Sequence, residues 1–370
     1  MASVRGRRAF LAASAGAVTA LGLAAPARAS AASGAFGRYG SPSARLDERT
    51  LYVHPRGAGD FTGVAAAVDA ARGPGYTLVI APGTYREKVL VDATRTGMTW
   101  IGASGNPRDV MIVHDHANGT PKPDGGTYGT TGSATTTLGA DGFTARHLTF
   151  ANDFLRADHP EITGTQAVAV KVQGDRSAFE GCRFLGHQDT LYADSTALGI
   201  FARQYYRDCY VEGDVDFVFG RATAVFEGCH FRTLDRTDLA GAPYGFVFAP
   251  STAVANPHGF LVTGSRISST APDAFYKLAR PWVASSDPTA RPMLTVRDSH
   301  LGAGVDTVTP YANMSDIYPW QDQRFAEYRN TGPGARVAAP GNRPQLTAAQ
   351  ARKVTREVYL DGWTPWGRGC

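Results

Sequence analysis

The chain has 370 residues, including 42 glycines and 22 prolines, and 19% of its residues are charged. This composition excludes a disordered chain and is typical of a turn-rich β protein with a large core. The length does not require two domains, because all-β solenoids of this size fold as one unit.

Residues 1–29 have the pattern of a bacterial export signal. They contain four arginines and no acid, and an Ala/Leu/Val/Gly run ends at a small-x-small cleavage site, Ala27-Arg28-Ala29. Paired Arg7-Arg8 favours the twin-arginine route, with an ordinary secretion signal as the alternative, and the run is too short and weakly apolar to favour a membrane anchor. We therefore expect a secreted protein, with a flexible linker over 30–47 and one folded domain over 48–370.

The charge and cysteine content limit the classes of partner. Without the four N-terminal arginines, 33 basic residues balance 33 acidic ones, so nothing favours binding to nucleic acid or, after signal removal, to a membrane. The four cysteines lack the CxxC spacing of a zinc site. We therefore expect no metal.

The centre of the chain repeats a short strand pattern, as in "AFEGCRFLG", "YYRDCYVEG" and "VFEGCHFRT". Cys182, Cys209 and Cys229 occupy the same place in these repeats, at intervals of 27 and 20 residues. Strands that recur at such intervals, with uneven loops between them, predict an all-β fold, a single-stranded right-handed parallel β-helix. A β-sandwich is the alternative, but its hairpin dipeptides are sparse here.

Two helices are expected at the ends of this fold. The first has Asp60 or Thr62 as its capping residue and continues to about Ala71. Near the C-terminus, Thr347 and Gln350 have capping-box spacing and predict a helix that covers the end of the solenoid. Its apolar side would contain Ala351, Val354, Val358 and Tyr359.

Two aspartates share one phase of the repeat. Asp189 follows Cys182 by seven residues, and Asp216 follows Cys209 by seven residues. If the cysteines stack on successive coils, the two carboxyl groups lie about one strand spacing apart, ~4.8 Å. Two carboxyls this close favour one protonated and one ionised group, that is, an acid beside a base. The alternative is that each Asp only hydrogen-bonds the backbone at a turn.

The motifs "GTQAVAVKV", "GHQDTLYADS", "YVEGDVDFVFG" and "LARPW" resemble those of the pectin methylesterase (pectinesterase) family. The similarity begins near Leu51 and covers nearly the whole folded domain. It implies a secreted β-helical enzyme that hydrolyses the methyl esters of polygalacturonate (pectin) and releases methanol without a cofactor. "GTYREKV" also matches a family motif, and we interpret its Tyr85 and Glu87 as structural.

The resemblance implies a role for each matched polar residue. Asp216 corresponds to the nucleophile, and Asp189 to the acid that protonates methanol and then to the base that activates water. Gln166 and Gln188 correspond to the donors that stabilise the tetrahedral oxyanion. Arg280 corresponds to the guanidinium that keeps the nucleophile ionised, although an Arg before Pro is also common in surface loops.

Trp282, Tyr192 and Phe219 match positions that line the family's substrate groove, although core packing is the alternative for each of these aromatics. The sequence departs from the family at three positions, Ala279 for Gly, Val218 for Ile and His187 for Tyr, and none of these changes removes a functional group. The resemblance also suggests a disulfide between Cys209 and Cys229.

Other functions of a β-helix stay open as alternatives. They are an esterase that acts on another ester or thioester and a carbohydrate-binding solenoid. A polygalacturonase is disfavoured because the chain has no Asp-Asp pair and no Gly-His-Gly, and a pectate lyase because there is no calcium-binding acidic cluster. A monomer is the expectation for a capped solenoid.

Overall fold

The computed structural model of the chain describes residues 48–366. The predicted export signal, the linker over 30–47 and Cys370 lie outside the described residues. Twenty-five strands of the described part form three parallel sheets, and from β2 onward each successive strand lies in a different sheet from the one before it. This arrangement confirms the predicted right-handed parallel β-helix.

Each sheet collects one strand from each coil. The first sheet contains β1 Thr50–Val53, β2 Thr77–Ile80, β5 Thr99–Gly102, β8 Thr144–Arg146, β11 Ser177–Glu180, β14 Arg203–Arg207, β17 Thr223–Glu227, β20 Phe260–Thr263, β23 Met293–Arg297 and β25 Arg324–Tyr328. The second contains β3 Gly83–Arg86, β6 Val110–His114, β9 Thr149–Asn152, β12 Arg183–Leu185, β15 Tyr210–Gly213, β18 His230–Thr233, β21 Arg266–Ser269 and β24 His300–Leu301. The third contains β4 Val89–Val91, β7 Thr136–Leu138, β10 Val170–Val172, β13 Leu191–Ala193, β16 Val218–Gly220, β19 Gly245–Pro250 and β22 Tyr276–Ala279.

Stacked aromatic rings hold the coils in register inside the solenoid. The ring of Tyr206 lies 4.9 Å from that of Phe179 on the preceding coil and 4.7 Å from that of Phe226 on the next, in stacked orientation. All three side chains are completely buried. Because a one-residue slip would turn these rings out of the core, the register of the coils is strongly specified.

Three cysteines form a ladder between the first and second sheets. Strand pairing places Arg183 opposite Tyr210 and Tyr210 opposite His230, so the preceding residues Cys182, Cys209 and Cys229 also stack. All three are buried free thiols. The disulfide suggested between Cys209 and Cys229 is therefore wrong for this structure, in which each thiol contacts main-chain carbonyls instead.

The N-terminal end of the core is closed by helix α1, Val64–Ala70. Its buried face, Val64, Ala67 and Val68, belongs to the main hydrophobic cluster. The prediction of Asp60 or Thr62 as its capping residue is wrong, because Gly63 is the residue at the cap. The carboxylate of Glu87 instead accepts hydrogen bonds from the Val64 and Ala65 amides, at 2.6 and 3.1 Å.

The C-terminal segment contains two short helices, α3 Ala348–Ala351 and α4 Arg356–Tyr359, instead of one. The capping box of Thr347 and Gln350 is present. The segment does not cover the end of the solenoid: Tyr359 and Leu360 pack on Tyr205, Val225 and Leu261, which form a cluster outside the main core. Val358 is 42% exposed, so its predicted place on the apolar side is wrong.

The remaining helical elements are short and lie in the loops. They are helix α2 Gly129–Ser133 and the 3₁₀ turns Arg156–Asp158, Ala284–Ser286, Trp320–Asp322, Pro333–Ala335 and Pro340–Asn342. Within residues 48–366, no helix combines the length and apolar character needed to cross a bilayer.

Candidate active site

Two aspartates stack at the entrance to neighbouring strands of the third sheet. β13 and β16 pair with Leu191 opposite Val218, which places Asp189 opposite Asp216, two residues earlier on each coil. The Asp189 amide donates a hydrogen bond to the Val215 carbonyl at 3.0 Å, which continues the ladder through this point. The stacking expected from the seven-residue spacing is therefore present.

Backbone conformation explains the polar interruption before each strand. Asp189 and Asp216 adopt left-handed backbone, with φ of 65° and 49°. Aspartate tolerates this region better than β-branched or bulky residues do, and such outliers are common at active sites. Both residues are nearly covered, with 7% and 6% of their surfaces exposed.

Arg280 binds the second aspartate with both arms of its guanidinium. Its Nε and Nη2 donate hydrogen bonds to the two carboxylate oxygens of Asp216, at 2.8 and 2.6 Å. The guanidinium also lies 3.9 Å from the centre of the Phe246 ring. A bidentate pair restricted on one face by an aromatic ring holds the Asp216 carboxylate in one orientation.

The two carboxyl groups differ in their affinity for protons. Burial raises the pKa of Asp189 well above its usual value, the charge of Asp216 raises it further, and Arg280 opposes the rise. Burial also raises the pKa of Asp216, but the hydrogen bonds and charge of Arg280 oppose this directly. Because the guanidinium binds Asp216 and not Asp189, the environment favours an ionised Asp216 and a protonated Asp189.

The amide oxygens of the two predicted glutamines, Gln166 and Gln188, each accept a hydrogen bond. The Asn118 amide donates to the Oε1 atom of Gln166 at 3.0 Å, and the Thr165 hydroxyl donates to the Oε1 atom of Gln188 at 2.8 Å. Neither Nε2 donates a hydrogen bond within residues 48–366, so both amides are available as donors.

Three aromatic residues form a platform outside the core. Tyr192 and Phe219 stack with their ring centres 4.1 Å apart, and half-buried Trp282 packs against both at 5.9 and 5.5 Å. This cluster is separate from the main hydrophobic cluster, although Tyr192 and Phe219 are themselves buried. The Tyr192 and Phe219 rings are nearly covered, so half-buried Trp282 is the most accessible member of the platform.

Two cations surround one buried carboxylate beside this platform. Lys171 and Arg221 each approach Asp194 to 3.7 Å, and Asp194 is 1% exposed. Lys171 also lies over the Tyr192 ring, and Arg221 lies over the Trp282 ring. The group carries a net positive charge when Asp194 is ionised.

A second buried ion pair, between Arg156 and Asp214, lies near the pair of Arg280 and Asp216. Arg156 donates to both oxygens of Asp214 at 2.7 and 2.9 Å, and His187 Nδ1 lies 3.4 Å from the same carboxylate. Burial alone would raise the pKa of Asp214, but hydrogen bonds from Arg156 and His187 lower it. Asp214 is thus a fixed charge two residues before Asp216. His187, which departs from the family pattern, therefore contacts the site's charge network.

The sequence did not indicate Asn118, Thr165, Arg156 or Phe246 as parts of this site. The place of Phe246 beside Arg280 could have been found only from strand pairing, which puts Phe246 one coil beyond Asp216. The polar spacing "GDVD" was a visible signal for Asp214.

Comparison with known proteins gives one consistent result. A family model described as Pectinesterase matches residues 50–363. A pectinesterase of Ralstonia solanacearum is 33% identical over 313 residues, which cover 75% of this chain and 78% of that protein. The solved pectin methylesterase PemA from Erwinia chrysanthemi is 30% identical with a TM-score of 0.75, and the match covers 87% of this chain and 99% of that one.

A pectin methylesterase solved in complex with a hexasaccharide has the same identity and TM-score, and the match covers 85% of this chain and 98% of that one. The matched region contains both stacked aspartates and nearly all of the described solenoid. The chain belongs to the pectinesterase family and is a carboxylic ester hydrolase.

Proposed function

We propose that this chain removes methyl esters from polygalacturonate with Asp216 as nucleophile and Asp189 as acid and base. The observation that carries the proposal is the stacked aspartate pair, in which Arg280 binds only Asp216 through both carboxylate oxygens. This asymmetry gives one ionised carboxylate and one protonated carboxyl beside each other, as the reaction requires.

The first half of the reaction forms a covalent intermediate. The Asp216 carboxylate attacks the ester carbonyl carbon, and Gln166 and Gln188 donate hydrogen bonds to the oxyanion of the tetrahedral intermediate. As the intermediate collapses, the bond to the methoxy group breaks and Asp189 gives its proton to the departing oxygen. Methanol leaves, and the galacturonate acyl group stays bonded to Asp216.

The second half releases the acid product. Asp189, now ionised, accepts a proton from water while the water oxygen attacks the acyl carbon. Collapse of this second tetrahedral intermediate returns Asp216 as a carboxylate and releases the galacturonic acid group, which carries the second proton of the water and loses it to solvent. Asp189 ends protonated, so the pair is ready for the next ester.

The surroundings of the pair suit a polyuronate substrate. Half-buried Trp282 offers an apolar surface to a sugar ring, and the buried rings of Tyr192 and Phe219 pack against the Trp282 side chain. Lys171 and Arg221 give this edge a positive charge that favours uronate carboxylates. The solved complex of a related pectin methylesterase with a hexasaccharide agrees with such a substrate.

A product assay on highly methylated polygalacturonate tests the proposal. We expect methanol in equal amounts to new carboxylates, with no new reducing ends and no unsaturated uronate. Hydrolysis of an acyl thioester without methanol release from pectin would instead favour the esterase of different specificity. Saccharide binding without any product would favour a carbohydrate-binding solenoid.

We also infer that the enzyme is exported and works as a monomer outside the cell. Arg7-Arg8 and the following apolar run support the twin-arginine route. Replacing Arg7 and Arg8 by Lys should retain the enzyme inside its bacterial host. Normal secretion of that variant would contradict this route.

A further inference from the structure

A histidine-rich cluster lies on an earlier coil and has no part in the proposed reaction. His114 ends strand β6, and Asp115 and His116 follow it directly. One side-chain nitrogen or oxygen of each residue lies within 4.8 Å of the others. The two imidazole centres are 4.1 Å apart, and His116 also stacks on Tyr128 at 4.0 Å.

Both imidazoles have the properties of metal ligands. The Nδ1 atoms of His114 and His116 are buried and make no hydrogen bond within the described chain. His114 Nδ1 lies 3.3 Å from Asp115, but without hydrogen-bond geometry. A neutral imidazole keeps one nitrogen lone pair for a metal.

The neighbouring charges set limits on the site. Arg86 Nη1 lies 3.7 Å from the Asp115 carboxylate but binds Asp153 more closely, and both Arg86 and Asp115 are about half exposed. Lys88 lowers the proton affinity of both histidines and therefore also opposes a cation. Asp115 provides the negative charge that offsets these groups, and its exposure lets it turn toward a ligand.

We propose that His114, Asp115 and His116 bind one divalent transition-metal ion, with Zn²⁺ or Cu²⁺ as the class of metal that fits. Two imidazole nitrogens and one carboxylate oxygen match the ligand preference of these ions, whereas Ca²⁺ and Mg²⁺ prefer all-oxygen sites. With three protein ligands, a fourth position stays open to water or an anionic ligand. The site is independent of the ester hydrolysis proposed above.

Calorimetric titration of the purified protein with ZnCl₂ tests the proposal. We expect one site per chain in the wild type and at least a tenfold weaker affinity in His114→Ala and in His116→Ala. His258→Ala is the matched control, because His258 also has a buried Nδ1 and stacks on a tyrosine, at 4.5 Å. Among the residues that the structure describes, this Nδ1 has no hydrogen-bond partner and His258 belongs to no ligand cluster. Its affinity for Zn²⁺ should equal that of the wild type.

A further measurement keeps the result clear if a variant folds poorly. Zn²⁺ should raise the melting temperature of the wild type, and that of Asp115→Asn by a smaller amount. It should not raise the melting temperature of His116→Ala. No Zn²⁺ binding by the wild type, or equal binding by wild type and both histidine variants, would overturn the proposal.

Discussion

Asp189 carries a carboxyl group in surroundings that oppose its charge. The side chain is nearly covered, lies beside Asp216 and is attached to left-handed backbone. A carboxyl whose pKa is raised on folding makes a contribution to stability that declines as the pH rises from its usual pKa toward the raised value. The residue that supplies the acid in our mechanism therefore lowers the stability of the native state at neutral pH.

Asp189→Asn should stabilise the protein while abolishing turnover. Asparagine has the same shape, tolerates left-handed backbone and cannot ionise. We expect the free energy of unfolding at pH 8 to rise by about 0.5–2 kcal/mol, with a smaller gain at pH 4. Urea unfolding at both pH values checks this prediction. A loss of stability of the variant at pH 8 would show that the Asp189 carboxyl does not destabilise the native state.

Arg280→Gln should move the acidic limb of the pH–rate profile. Removing the guanidinium removes the charge that opposes protonation of the pair, so its lower apparent pKa rises. We expect the acidic limb of kcat/KM to shift upward by about one pH unit. Arg221→Gln is the control, because Arg221 pairs with Asp194 and not with Asp216. The acidic limb of the pH–rate profile of this variant should not move. A shift of equal size in both variants would contradict the assigned role.

At the scale of single residues, sequence spacing predicted the position of the two aspartates, which residue type alone could not. The equal distance of both aspartates from stacked cysteines was sufficient to place them on adjacent coils. The partners of Gln166 and Gln188 were not predictable, because Asn118 and Thr165 lie in loops whose path depends on tertiary contacts.

At the scale of elements, helix α1 depends on a side chain from another part of the chain. Glu87 lies more than twenty residues beyond the helix start and occupies two of its free amides. Local capping patterns could not predict this, because a distant carboxylate replaced the local Asp or Thr. The C-terminal capping box was predictable since both of its members lie within one turn.

Glu87→Ala should weaken the closure of the N-terminal end. Two helix amides would lose their acceptor, and we expect a loss of about 1–2 kcal/mol in the free energy of unfolding. Methanol release at 25 °C should be unchanged, because the helix lies far along the solenoid from the aspartates. Thermal unfolding checks this against Glu161→Ala, an exposed glutamate in a loop. Equal stability of the two variants would argue against the capping role.

At the scale of the whole molecule, a stack of coils requires closed ends. The last strand, β25, contributes Glu327, whose carboxylate binds fully buried Arg343 at 2.8 and 3.0 Å. Tyr311 and Asn330 donate to the same carboxylate. This network fixes the segment that follows the last coil. The repeat pattern predicted the parallel stacking of the coils, but not this closing contact, which is made once.

Arg343→Met should destabilise the protein strongly. It leaves the Glu327 carboxylate buried without its cation, which typically costs about 3–5 kcal/mol. The double variant Arg343→Met with Glu327→Gln should recover part of this loss, because no charge then stays buried. Urea unfolding of the three proteins checks the prediction, and a single variant as stable as the wild type would contradict it.

The central claim is that ester cleavage requires the ionised carboxylate of Asp216 stacked on Asp189. The most direct test is methanol release from methylated polygalacturonate by Asp216→Asn, with circular dichroism to show that the fold is kept. Asp208→Asn is the control, because Asp208 also has left-handed backbone, on the same coil, but is exposed and pairs with no site residue. We predict a loss of about 10⁴-fold or more in kcat for Asp216→Asn and wild-type turnover for the control. Turnover near that of the wild type in folded Asp216→Asn would contradict the claim.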